Sequence, residues 1–215
     1  MPHTIRENEV GLPTSDAIEA RHLRRSVGQF VTGVTVVTYE VAGNPRGVTV
    51  NSFTSVSVEP PLILVSIARK ARAATGLSGS PLVVNVLAVD QHDLARHFAG
   101  QPVNGLQIPW SEHHSPPRLR GAVAWIECQP YAEVEAGDHI LFIGRVSAHR
   151  KLSKEPLLFR TGEFRLVGDQ VGSQPAAEPI SPAWLLVSQA QILAEDGVST
   201  HEPTTDPVSR RSKDT

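Results

Sequence analysis

At 215 residues, with 40% hydrophobic and 20% charged residues, the chain is sized for one domain with a substantial core and room for tails. A formal net charge of −2 and a pI near 6.5 supply no basic field of the kind nucleic acid needs, so no nucleic-acid partner is expected. The lone Cys128 excludes an intrachain disulfide and a thiolate metal cluster; following the apolar run Ala122-Val-Ala-Trp-Ile126, it reads as a buried structural thiol.

Residues 1–14 are polar, charged and broken by Pro2, Gly11 and Pro13, the pattern of a disordered tail. They hold neither an apolar leader core nor an Arg-rich amphipathic pattern, and no run approaches the roughly eighteen apolar residues of a membrane span. A soluble cytoplasmic protein with no membrane partner is expected. Asp16 with Glu19 three residues later resembles a capping box, and Ile18, Leu23, Val27 and Phe30 then form an approximate helical stripe before Gly33. This helix is expected to cover part of the core.

From Val34 the periodicity becomes that of strands. Strands are expected over 34–39, 48–56 and 62–67, the first two joined by a turn at Gly43-Asn-Pro45. Arg69-Lys-Ala-Arg72 opens a short helical or loop segment ending near Gly79, followed by a strand over 82–87 and a helix over 90–98, with Gly100 as its stop. Residues 101–120 form a long loop rich in Pro, Gly and His, of a length usually tied to a site or an interface. Strands over 122–129, 131–136 and 139–148 follow, with a last short one near 164–167.

Many strands, few helices and no βαβ rhythm predict a mainly β fold, a closed or half-open antiparallel barrel, within a domain over 15–168. Leu62-Ile-Leu-Val and Leu82-Val-Val are apolar on both faces, so the outer face needs cover from a helix or from a second copy of the chain, and a homodimer is expected. Residues 169–215 form a C-terminal extension whose Ser181-Pro182 start and Gly197 stop outline a short helix over 182–195, before a polar, disordered end. That helix reads either as one packed on the barrel or fraying in solvent, or as a docking device.

The chemistry concentrates in Arg46-Gly-Val-Thr-Val-Asn-Ser-Phe-Thr-Ser-Val-Ser57 and the strand after Glu59-Pro60-Pro61. Apolar residues alternate there with Thr, Asn and Ser, so one face packs while the other offers small polar groups to a flat, polar-edged ligand. Read from residue types alone, this is equally an ordinary half-exposed strand. No Gly-x-Gly-x-x-Gly follows a strand and no P-loop occurs. The histidines, including His113-His114, have no spacing that closes a metal site.

In order along the chain come Gly28-Gln-Phe-Val-Thr-Gly-Val-Thr-Val-Val-Thr38, Gly47-x-Thr-x-Asn-Ser-Phe53, Pro60-Pro-Leu62, Val84-Asn-Val86, Gly137-Asp-His139 and Gly144-x-Val146. This string, over about residues 23–167, resembles the flavin reductase components of two-component flavin-dependent monooxygenases. The resemblance implies an FMN-binding split β-barrel, Greek-key-like with a few peripheral helices, typically homodimeric. It also implies NADH or NADPH as hydride donor, FMN or FAD as acceptor and a partner monooxygenase that takes the reduced flavin. The cofactors carry that chemistry, so no catalytic acid or nucleophile is expected from the protein.

Carried over by position, Thr35, Thr49, Asn51, Ser52, Phe53 and Ser55 line the isoalloxazine and ribityl, with Asp138 and His139 beside the nicotinamide. Ser66, Lys70, Arg72 and Thr75 are the candidates for the flavin phosphate, although the family has Ser or Thr more often where this chain has Ala71 and Ala73. The basic run over 69–72 also reads as a solvated turn. Two alternatives share the fold: an FMN-dependent oxidase of the pyridoxamine phosphate type, and a non-catalytic flavin- or haem-binding protein.

Overall fold

The computed structural model describes residues 15–112 and 114–169. The expected tail over 1–14, His113 of the His113-His114 pair, and the C-terminal helix over 182–195 with its polar end lie outside the described residues.

Among the described residues, ten strands and three α-helices follow one another as α1 (Ser15–Val27), β1 (Thr32–Gly33), β2 (Thr35–Val41), β3 (Asn44–Val50), β4 (Thr54–Val58), β5 (Pro61–Ala68), α2 (Arg72–Leu77), β6 (Leu82–Val86), α3 (His92–Phe98), β7 (Ala124–Ala136), β8 (His139–Lys151), β9 (Leu158–Arg160) and β10 (Glu163–Arg165). Seven strands form one antiparallel sheet in the order β3-β2-β6-β7-β8-β5-β4, and β1-β9-β10 form a second. The two edges of the large sheet, β3 and β4, are consecutive in the chain and separated by Asn51, Ser52 and Phe53 alone. At about 3.3 Å per extended residue, so short a segment joins the edges only if the sheet curls until they nearly meet. The mainly β barrel anticipated from the strand pattern, and the split barrel that the family resemblance implies, is thus present, closed by a chain segment rather than by a hydrogen-bonded ladder.

Side chains alternate along β2. Val37 and Tyr39 point to a core inside the barrel with Val65, Ile67, Leu77, Val84, Cys128 and Phe142. Val36, and Val34 just before the strand, point outward to a second core with Leu87, Leu94, Ala95, Leu119 and Leu157, over which Phe98, Trp110 and Phe159 pack. Around β2 and β6 the outer cover therefore comes from α3 and the long loop of the same chain. Asn85, fully buried on β6, fixes that loop. Its amide nitrogen donates to Val36 O (2.9 Å) and Thr38 Oγ1 (3.0 Å), and its Oδ1 accepts from Leu119 N–H (2.9 Å).

Three expectations need correction. The strand expected over 48–56 is two strands, because the chain leaves β2 after Val50 and pairs with β5 from Thr54. The strands expected over 122–129 and 131–136 are one strand, β7, with irregularities at Glu127/Cys128 and Pro130/Ala132. Pro130 is accommodated because β6 pairs with β7 only as far as Cys128, so its missing N–H faces an open edge. The helix before the barrel exists, but it ends at Val27, and its apolar positions stay open to solvent in the single chain, Leu23 at 63% and Val27 at 64% exposure. Arg21, His22, Arg24 and Arg25 interrupt the stripe, and the following turn is tied to the barrel by Thr161 N–H donating to Gly28 O (3.0 Å). Among the described residues no helix is long and apolar enough to cross a membrane.

Candidate functional site

The barrel seam between β3 and β4 is where a ligand finds polar groups. Asn51, Ser52 and Phe53 fall outside the ladders of both edge strands. Ser52 Oγ holds this segment to β5 by donating to Ser66 O (2.8 Å) and accepting from Ser66 N–H (3.0 Å). Thr49 Oγ1 donates to Ala95 O (2.7 Å), which ties the same edge to α3. A cleft of about 280 Å³ opens here, lined by Thr49, Asn51, Ser52, Ser66 and His139 together with apolar residues of β3 and β5 and Ala71.

The β7–β8 turn forms the far wall. Gly137 takes φ +61°, a left-handed conformation that suits glycine. Arg69 clamps the turn, donating from its guanidinium to Gly137 O (3.0 Å) and Glu135 Oε1 (3.1 Å) while its backbone N–H donates to Asp138 O (2.9 Å). The Asp138 carboxylate lies 2.7 Å from His139 Nδ1. That hydrogen bond, and then the charge of His139, hold the Asp138 carboxyl below its usual range, with a smaller contribution from Arg24. A carboxylate only accepts, so Nδ1 carries the proton and Nε2 is the other ring nitrogen left for a ligand.

Two larger clefts adjoin the central one. Towards α2 and α3, a cleft of about 800 Å³ shares Val48 and Ala71 with it and is bordered by Arg46, Arg72, Thr75 and His97. Gly47 is required at this wall, since a Cβ there would come within 2.9 Å of the Phe98 ring. Towards α1, a cleft of about 990 Å³ shares Asn51 and Ser52 and also touches Phe30 and Phe53.

Five of the twelve sequence-derived positions, Thr49, Asn51, Ser52, Ser66 and His139, thus line one cleft. Arg72 and Thr75 lie in its basic neighbour, whereas Lys70 is exposed at the β5–α2 connection and lines none of the three. Asp138 stands behind His139. Thr35 is buried in the barrel wall, where its hydroxyl donates to Val50 O (2.9 Å). Phe53 lines the α1 cleft, and Ser55 faces an apolar groove beyond it with Leu62, Trp125 and Val146. The strand break at 51–53 causes this separation, because it interrupts the alternation that would have kept Ser55 with Thr49. Arg46, His97 and the Arg69 clamp were missed. His97 carries no motif, and only the packing of α3 on β3 brings it to the cleft.

Residues 27–168 match the family model described as flavin reductase like domain. A probable flavin reductase of Rhizobium meliloti is 38% identical over 173 residues, covering 77% of this chain, while the chain spans 55% of that longer relative. The reductase subunit HsaB of a flavin-dependent monooxygenase from Rhodococcus jostii is 36% identical over 160 residues, 72% of this chain and 81% of that protein. Among solved structures, the NADH:FAD oxidoreductase SgcE6 of Streptomyces globisporus, in complex with NAD and FAD fragments, superposes with a TM-score of 0.67 at 37% identity, covering 75% of this chain and 100% of that one. The matched domain spans the whole barrel and every wall of the central cleft, and on that basis the chain belongs to the flavin reductase like family.

Proposed function

We propose that the protein is an NAD(P)H-dependent flavin reductase that hands reduced FMN or FAD to a separate flavin-dependent monooxygenase. The observation that carries this reading is the convergence of Thr49, Asn51, Ser52, Ser66 and His139 on an open cleft continuous with a basic one. When both ligands are bound, hydride passes from the nicotinamide C4 to flavin N5. The protein's part is positional. Asn51 supplies donors and an acceptor to the flavin edge, and the backbone of residues 51–53, free of strand pairing, offers N–H groups where negative charge develops near N1 and C2=O. Arg46, Arg72, Thr75 and His97 suit the flavin's phosphate end. His139, with Asp138 fixing its tautomer, meets the nicotinamide.

The open form of the clefts suits a flavin that binds, is reduced and leaves. The monooxygenase partner is supported by relatives such as the HsaB reductase subunit, and the nicotinamide donor by the complex with NAD and FAD fragments. A homodimer is supported by the groove around Leu62, Trp125 and Val146, where Val58 is 60% exposed and no element of the described chain covers it. A cytoplasmic setting fits the reduced nicotinamide supply and the free thiol of Cys128.

The test is anaerobic oxidation of NADH or NADPH with and without added FMN, FAD or riboflavin. Oxidation that depends on added flavin supports the reading. Folded protein that turns over none of these pairs overturns it and returns the oxidase or binding-protein alternatives.

A further inference from the structure

We propose that Arg24, flanked by Arg21 and Arg25 on α1, grips the diphosphate of the reduced nicotinamide dinucleotide, an assignment that rests on the flavin reductase reading above. All three arginines line the α1 cleft, which shares Asn51 and Ser52 with the central cleft, and among the described residues no carboxylate lines it. Three positive charges so placed, in a chain whose formal net charge is −2, make a local anion site rather than a general field. None of the three has an ion-pair partner among the described residues. Thr32, another lining residue, has its Oγ1 buried with no hydrogen-bond partner among the described residues.

Geometry decides which anion this is. The flavin's phosphate end already has Arg46, Arg72 and Thr75 on the opposite side of the floor. Hydride transfer requires the nicotinamide ring to stack over the isoalloxazine, so the dinucleotide's diphosphate falls on the side the flavin tail leaves free. That side is the α1 cleft, of about 990 Å³, with room for the adenosine half as well.

The experiment compares the full-length protein with its Arg24→Ala and Arg21→Ala/Arg24→Ala variants, whose changes lie on an exposed helix face and whose fold is verified by circular dichroism. The expected result is a KM for NADH raised about tenfold or more, a much smaller fall in kcat, and partial rescue by Arg24→Lys. With 1-benzyl-1,4-dihydronicotinamide, a hydride donor without phosphates, the KM should change less than twofold. Calorimetry with ADP-ribose should show binding to the parent protein and a loss of about tenfold or more in the double variant. An unchanged KM for NADH, an equal rise for the phosphate-free donor, or weakened FMN and FAD binding in place of weakened ADP-ribose binding would overturn the assignment. If the parent protein reduces flavin with neither donor, the reductase reading fails, and the ADP-ribose titration still decides the arginine site by itself.

Discussion

Ser52 Oγ is bonded to both backbone polar groups of Ser66, donating to the carbonyl at 2.8 Å and accepting from the N–H at 3.0 Å. One hydroxyl thereby pins the segment that closes the barrel, the proposed flavin floor, to the strand across from it. Ser52→Ala leaves a part-buried N–H and C=O without their partner, at a cost of about 1–3 kcal/mol. The expected outcome is a lower denaturation midpoint together with weaker flavin binding. Unchanged flavin affinity would mean that the floor does not depend on this link.

Asn51 is exposed at the boundary of the central and α1 clefts. Asn51→Leu keeps the branching at Cγ and removes the donors and the acceptor. Flavin binding should weaken by about 1–3 kcal/mol, roughly 5- to 150-fold, with little change in thermal stability. Fluorescence titration with FMN and FAD measures this, and an unaltered titration removes Asn51 from the site.

His139→Ala should raise the KM for the nicotinamide more than it lowers flavin affinity, and an unchanged KM excludes His139 from the donor site. The pH dependence of its partner follows from the lowered carboxyl of Asp138, set by the hydrogen bond and charge of His139. A depressed folded-state pKa means that the contribution is present above the ordinary carboxylate range and is lost as pH falls through the lower folded value. Parent protein and Asp138→Asn should therefore differ in nicotinamide KM at neutral pH and converge only in strong acid. Convergence already at mildly acidic pH would contradict the pairing.

Cys128 is fully buried, and burial, followed by the neighbouring Glu127 charge, pushes its thiol up to about 12. The thiolate is the reactive form, so the folded protein should resist thiol reagents at mildly alkaline pH and react on unfolding. Because the folded value is raised, the associated stability is intact below the ordinary thiol range and is lost as pH climbs towards about 12. Rapid labelling of the native protein would contradict this burial.

Val58→Asp, on the apolar groove, should shift the protein from dimer to monomer in sedimentation without unfolding it. A parent protein that sediments as a monomer, or a variant that remains dimeric, rules out this face as the interface.

The alternation of apolar and polar residues made β2, β5, β6 and β8 legible, and the string from Gly47 to Phe53 pointed to the seam. Side-chain period reports which face a residue takes, not which neighbour its backbone chooses, so the switch from β2 to β5 at residues 51–53 was invisible. Its physical cause, the Ser52–Ser66 link, joins residues distant in sequence. The same limit hid the Arg69 clamp, which read as half of a basic turn, and the Asn85 network that fixes the long loop. The stripe on α1 was legible, but what it faces was not, because its arginines are explained by a cleft and not by a periodicity.

The most direct measurement is a crystal structure of the protein with FMN or FAD. The account predicts the isoalloxazine on Asn51 and Ser52 with His139 at its edge, and the phosphate end running towards Arg46 and Arg72. An isoalloxazine seated in the groove of Trp125 and Val146, or a flavin tail lying under α1, would contradict it.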